Sequence, residues 1–266
     1  MQMHSRFDRQ GFLGPDSDSR FASAIVGVVG LGGGGSHLVQ QLAHAGLGHF
    51  RLYDPDRIDE EGTNLNRLIG ATEQDVRDRT EKTAIAARLV RGVNSSADVQ
   101  VRTDPWQSAP GLLVECDVIF GCVDSFADRQ ELEAFARRHL IPYIDIGMDV
   151  HKVGGHYVVA GQVALSVPGS PCMNCYGLIR SDEDRPRYGA AGHRPQVVWP
   201  NGVLASTAVG LFVQLLSAWS PEPRRSVVLE YDGNTHTMKV GHRVGFLKDK
   251  ICPHFAPEDV GDPLAH

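Results

Sequence analysis

The chain has 266 residues, 42% hydrophobic and 22% charged, with a formal net charge of -6 and a pI near 6.0. This is the composition of an ordinary soluble globular protein, long enough for one large core or one core with a small appendage. The acidic balance, with no run of five basic residues, excludes a nucleic-acid footprint, so no nucleic-acid partner is expected.

Residues 1–22 are polar and charged, contain Gly and Pro, show no clear period, and read as an N-terminal arm with no secretory apolar region. Residues 24–30 (AIVGVVG) are short, β-branched and bounded by glycines, which predicts a strand buried on both faces. Leu38, Leu42 and Ala45 fall at helical spacing over residues 36–45, and HFRLYD (49–54) is a second strand. A helix follows over 81–93 through Ala84, Ala87, Leu89 and Val90, and residues 98–103 alternate as a strand. CDVIFG (116–121) is another buried strand, followed by a helix over 127–139 and a strand at 141–148 (IPYIDIGM). Alternation of this kind implies an α/β, Rossmann-like fold with right-handed crossovers, a mostly parallel sheet and helices on both faces.

After Met148 the rhythm changes. Residues 158–167 read as sheet, while 168–200, rich in Gly, Pro and charge, read as a long crossover. Residues 203–219 carry no charge and predict a buried or interface helix, with a membrane span as the alternative. Strands at 226–231 and 235–240, joined around Asp232-Gly233-Asn234, form a hairpin that extends the sheet with antiparallel strands. Residues 253–266 read as a loose tail. The expected organisation is an arm (1–22), one domain (23–252) with halves of about 23–150 and 151–252, and the tail. Five cysteines, an odd number, without an export signal argue against a disulfide framework and for the cytoplasm.

Gly30-Leu31-Gly32-Gly33-Gly34-Gly35 stands where a strand ends and a helix begins. Glycines there let the backbone approach phosphates, and the helix N-terminus offers free N–H groups and partial positive charge. Asp54 ends the next strand, at the distance from which an acidic residue reaches a ribose hydroxyl. On these two features alone a dinucleotide dehydrogenase is the commoner answer. Downstream, however, stand Asn64-Leu65-Asn66-Arg67, Lys82 at the start of a helix, and Asp124 just past a strand. Singly each charge is a solvated surface group. Together, on the C-terminal edge of the sheet, they suit a triphosphate: Arg67 and Lys82 offset phosphoryl charge and Asp124 holds Mg²⁺.

With Arg6-Phe7-Asp8-Arg9-Gln10, the loop GLGGGGS, Asp54-Pro55-Asp56, Asn64-Leu65-Asn66-Arg67, Lys82 and Cys122-Val123-Asp124-Ser125, the chain resembles the ThiF/MoeB/HesA family over nearly its whole length. The resemblance implies an adenylation domain like that of ubiquitin-activating enzymes. In that reading Gly30, Gly32, Gly33 and Gly35 form the phosphate cradle and Asp54 binds the ribose. Asn64, Arg67 and Lys82 contact the phosphates, Asp124 holds Mg²⁺, and Arg9 reaches into the partner subunit's site of a homodimer. Two departures stand out: a slightly longer segment between Asp54 and Asn64, and Leu68 in place of Gln. Either would alter the rim of the nucleotide pocket.

Pro171-Cys172-Met173-Asn174-Cys175 resembles the first half of the family's structural zinc site, but the second half reads Cys252-Pro253-His254-Phe255. Phe255 binds no metal, so the implied zinc ligands are Cys172, Cys175 and Cys252, with His254 as the fourth at a less comfortable spacing. A vestigial site and a redox CxxC are the alternatives. Residues 176–200 contain no cysteine, and Cys116 and Cys122 read as core packing, so no transfer cysteine is expected.

The implied activity is ATP-dependent adenylation of the C-terminal carboxylate of a ubiquitin-like or sulfur-carrier protein ending in Gly-Gly. Alternatives are the same chemistry on a peptide or a modified tRNA base, a nicotinamide oxidoreductase, and an inactive partner subunit. No membrane partner is expected.

Overall fold

The computed structural model describes residues 6–179, 195–221 and 225–261. Its frame is one eight-stranded sheet in the order β3-β2-β1-β4-β5-β6-β7-β8. The strands are β1 (Ile25–Val29), β2 (His49–Tyr53), β3 (Asp98–Arg102), β4 (Val118–Gly121), β5 (Tyr143–Val153), β6 (His156–Ser166), β7 (Val227–Asp232) and β8 (Thr237–Val240). The first five pair in parallel, and β6, β7 and β8 continue the sheet antiparallel. The central strands are continuous apolar runs because both faces are covered.

Helices α1 (Ser17–Ser23), α2 (Gly33–Ala45), α4 (Lys82–Val93) and α7 (Val198–Leu216) share one apolar core, centred on Leu38, Leu42, Phe50, Phe120 and Phe212. A second core around Leu132, Tyr143 and Met173 joins α5 (Phe126–Arg138) and α6 (Met173–Tyr176). The short helices α3 (Glu73–Asp78) and α8 (His242–Leu247) complete the chain. Because the chain runs from β1 outward to β2 and β3 and returns to β4 on the other side, the strand order reverses between β1 and β4. Ligands of open α/β sheets bind in the crevice at such a reversal.

Four sequence readings change. The described part of the segment 1–22 is no free arm: Leu13 joins the main core, and α1 buries Phe21, whose ring lies 6.0 Å from that of Phe212. A helix of seven residues with one core side chain is too short to show a period. β5 runs past Met148 to Val153 and turns at Gly154 and Gly155, both at positive φ, into an eleven-residue partner strand. The uncharged helix begins earlier, at Val198, because Pro200 lies in its first turn, where its missing N–H has no helical partner to lose. The tail also returns to the body: the Arg137 guanidinium lies 5.0 Å over the Phe255 ring, and Gly261 N–H donates to Arg137 O. Of the crossover at 168–200, residues 180–194 lie outside the described residues.

By length and hydropathy α7 passes as a membrane span. Its face bearing Leu204, Ala205, Ala208, Leu211 and Phe212 is instead buried against α2 and strands β5 and β6.

Candidate nucleotide site and cysteine cluster

At the strand reversal, Gly30 N–H donates to Tyr53 O and Cys122 N–H donates to Val29 O, each at 2.8 Å. Gly30 sits at φ +89, and a Cβ there would lie 2.6 Å from Cys122 O, so only glycine fits this corner. A Cβ on Gly35 would strike Gly30 O, and one on Gly33 would strike the buried side-chain amide of Asn201. Gly32 differs: nothing lies within 4 Å of the position its Cβ would take. It caps the thirteen-residue α2, so the open face lies at a helix N-terminus, where unpaired N–H groups favour an anion.

Asp54, 5% exposed, spans this loop and the next. Its Oδ2 accepts Leu31 N–H at 2.6 Å and its Oδ1 accepts Asp56 N–H at 2.9 Å. Burial pushes its pKa up, opposed by the Lys82 charge and those two backbone donors. Lys82 opens α4 with Nζ 3.8 Å from Asp54 Oδ1 and 2.6 Å from Asp56 Oδ2, and Lys82 N–H donates to Asp56 O.

Asn64 is buried in a turn that Asp59 organises by accepting the N–H groups of Thr63 (2.7 Å) and Asn64 (2.9 Å). Burial opposes the Asp59 carboxylate, but these hydrogen bonds and the nearby Arg67 hold its pKa low. The turn is tied to the first turn of α2 by Ile69 N–H donating to Ser36 Oγ at 3.0 Å. Half-buried Arg67 thus stands on a segment anchored beside the glycine loop. Leu68 is 4% exposed and packs with Ile58 and Ile85, so this departure from the family pattern fills a small core rather than the pocket rim. Exposed Asp124 follows β4 two residues after Cys122, whose carbonyl packs on Gly30.

The structure therefore gathers the glycine loop, Asp54, Asn64, Arg67, Lys82 and Asp124 at one sheet edge. Arg9 is elsewhere. Its 3-10 turn, Asp8–Leu13, lies at the other end of α2, where Gln10 Nε2 donates to Ala45 O and Phe7 packs on Gly46. The rise from Gly33 to Ala45 is about 18 Å.

The cysteines form a second site. Cys172, Cys175, Cys252 and His254 bring their donor atoms within 4.8 Å of one another. Sγ–Sγ distances are 3.7 Å for Cys172–Cys175 and for Cys175–Cys252, and His254 Nδ1 lies 3.5 and 3.4 Å from Cys172 and Cys175. Zinc–sulfur bonds of about 2.3 Å in a tetrahedron give S···S edges of about 3.8 Å, so this donor set fits zinc. Burial pushes the Cys172 and Cys175 thiols up. It also opposes a Cys252 thiolate, but the His254 backbone N–H and the neighbouring thiols outweigh it and lower that pKa. Cys116 and Cys122 are held protonated by burial, the former pushed up to about 12, in keeping with core packing.

Residues 7–253 match the ThiF family. The chain belongs to that family. It is similar to the SAMP-activating enzyme E1 of Haloferax volcanii, 32% identical over 178 residues, which is 66% of this chain and 61% of that protein. It is similar to the sulfur carrier protein ThiS adenylyltransferase of Bacillus subtilis, at 30% over 65% of this chain and 50% of that one. The tRNA threonylcarbamoyladenosine dehydratase of Escherichia coli is 34% identical over 48% of this chain and 47% of its own length. This ThiF-family chain thus spans less than two thirds of each of these relatives. In fold it is similar to the crystal structure of E. coli MccB, with a TM-score of 0.72 at 20% identity, covering 90% of this chain and 71% of that one.

The sequence reading assigned no role to Asp56, Asp59 or Arg129. Asp56 was legible only as part of the Asp54-Pro55-Asp56 motif. Asp59 carries a local signal, an acidic residue four positions before a Thr-Asn turn.

Proposed function

We propose that this chain binds ATP with Mg²⁺ and adenylates the C-terminal carboxylate of a ubiquitin-like or sulfur-carrier protein ending in Gly-Gly, releasing pyrophosphate. The observation that carries the reading is Lys82 beside Asp54 at the mouth of the glycine loop, with Asp124 on the adjoining strand end. A hydride-transfer site needs neither the metal carboxylate nor the phosphate-facing lysine.

In this reading a substrate carboxylate oxygen attacks the α-phosphorus, the bond to the pyrophosphate oxygen breaks, and an acyl-adenylate forms. The chain supplies alignment and charge rather than a nucleophile. Asp54 accepts the ribose hydroxyls, the open face at Gly32 receives phosphate oxygens, and Asn64, Arg67 and Lys82 meet the charge that passes to pyrophosphate. Asp124 would hold Mg²⁺, which binds through one or two carboxylates plus phosphates and offsets phosphate charge. Cys172, Cys175, Cys252 and His254 would hold zinc as a structural clamp between segments about eighty residues apart. None of the five cysteines is paired in a disulfide, which fits a reducing compartment, the cytoplasm.

Arg9 lies too far from its own glycine loop to serve it, which supports a homodimer. One end of α7 touches the glycine loop through Asn201. Its other end meets the N-terminal segment, where Arg20 donates to Leu216 O and the Phe12 and Trp219 rings contact edge to face at 6.3 Å. The exposed side chains Val198, Trp199 and Val203 at one end, and Trp219 and Phe12 at the other, leave apolar outer surface at both ends of this path. Two copies packed antiparallel on it bring each Arg9 end toward the partner's glycine loop.

A peptide substrate is the second reading, favoured by the fold shared with MccB, which has been solved with ATP and with the MccA peptide. ATP–pyrophosphate exchange against a panel of carriers ending in Gly-Gly and a panel of short peptides separates the two. Carrier-dependent exchange supports the proposal, and exchange driven only by peptides replaces it. NAD competing with ATP in calorimetry would reject both.

A further inference from the structure

Arg129 belongs to no motif used above, yet its guanidinium is among the most buried charges in the protein, 5% exposed. Its Nε–H donates to Val123 O at 3.1 Å, Nη1–H to Asp145 Oδ2 at 3.1 Å, and Nη2–H to Ile146 O at 3.4 Å. Asp145 is fully buried and also accepts Tyr143 O–H. Desolvating such a pair costs several kcal/mol per ion, so packing alone gives no reason to bury it. What the arginine supplies is geometry, since a rigid planar fork fixes three donors in three directions.

Those directions lead to the nucleotide site. Val123 is the residue before Asp124, and the residue after it, Ser125, caps α5 by accepting Asp128 N–H. Asp124 is therefore held on both sides. Ile146 lies beneath the glycine loop, 3.6 Å from where a Cβ on Gly34 would stand. The strand leaves room for the fork at Gly147, where a Cβ would lie 2.5 Å from Arg129 Nη1 and closer still to Gln162 Nε2 on the neighbouring strand.

We infer that Arg129 is a positioning residue, clamping the Val123 carbonyl so that Asp124 presents its carboxylate to the metal of the bound nucleotide. The inference rests on the reading of Asp124 as the Mg²⁺ ligand. A carboxylate on a loop must be held to about 0.5 Å to serve as a metal ligand, and lysine cannot reach Val123, Asp145 and Ile146 together.

The test uses the full chain with Arg129→Gln, Arg129→Lys, Gly147→Ala and Asp124→Ala. Three quantities are measured: Mn²⁺ binding to the protein–ATP complex by electron paramagnetic resonance, ATP binding in EDTA, and thermal midpoint. Arg129→Gln is expected to weaken Mn²⁺ binding about tenfold, with metal-free ATP affinity changed less than twofold and Arg129→Lys intermediate. Gly147→Ala crowds the fork together with the Gln162 amide, without deleting the charge, and is expected to weaken Mn²⁺ binding too, which keeps the test open if Arg129→Gln does not fold. Unchanged Mn²⁺ binding in the folded Arg129 and Gly147 variants, with Asp124→Ala impaired, overturns the clamp alone. Unchanged binding in Asp124→Ala overturns the underlying reading of the metal ligand and the clamp with it.

Discussion

Lys82 Nζ lies 2.6 Å from Asp56 Oδ2, so the cation that the proposed function assigns to phosphate is paired with a carboxylate. The Asp56 side chain is 65% exposed, and pairs of that kind contribute at most about 1 kcal/mol. Under the proposed function, triphosphate, carrying several charges at a helix N-terminus, is expected to outcompete it. Lys82→Met is expected to slow pyrophosphate exchange by about 10²–10³-fold, the loss seen when one preorganised charge donor is removed. Asp56→Asn removes only the competitor and should tighten ATP up to about fivefold by calorimetry. Weaker ATP binding in Asp56→Asn would show instead that Asp56 holds Lys82 in its working position.

Asp54 predicts a pH dependence. Its pKa is raised above the ordinary 3.8, chiefly by burial. In the proposed site the ionised form accepts the ribose hydroxyls, so ATP affinity should fall on acidification, with a midpoint above the ordinary carboxylate range. The sign for stability is opposite. A raised acid pKa means the folded state binds the proton more tightly, so this group favours folding as pH falls through that pKa. Acidification should therefore weaken ATP binding while Asp54 itself adds to stability rather than driving unfolding. In Asp54→Asn the acidic limb of the affinity profile should disappear, as measured by titration calorimetry across pH.

Metal analysis of protein purified without chelators is expected to find one zinc per chain. Cys252→Ser should abolish retention, and His254→Ala should weaken it while leaving three thiolate ligands. Stripping the metal should lower the thermal midpoint, because the cluster joins segments that are otherwise remote in sequence. Metal-free protein of unchanged thermal midpoint would identify the cluster as vestigial.

Arg9 and Asp124 offer a complementation test of the homodimer. Each of Arg9→Ala and Asp124→Ala should be inactive alone. In a mixed dimer one site takes Asp124 from one chain and Arg9 from the other, and about half of the sites in such heterodimers are complete if Arg9 acts in trans. Partial recovery of pyrophosphate exchange is expected. No recovery, despite subunit exchange verified by mass spectrometry, would assign Arg9 to its own chain or to no site.

The sequence by itself determined the parallel half of this protein. β1 and β4 announce themselves as short apolar runs because both their faces are covered, and the five glycines of residues 30–35 mark a corner where a Cβ would strike Cys122 O or Gly30 O. Those signals are local, and local periodicity survives in a one-dimensional reading. Tertiary structure decided what depends on pairs far apart in the chain. It brought His254, the fourth ligand that the resemblance implied, to 3.5 Å from Cys172, 82 residues away, and packed Phe21 of the supposed arm on Phe212. It drew Lys82 onto Asp56 across a parallel crossover, and it carried Arg9 to the far end of α2 from the glycine loop. Neither a spacing rule nor a hydrophobic period encodes such contacts, since each depends on how separately formed elements fill one core and leave their polar ends at a shared edge.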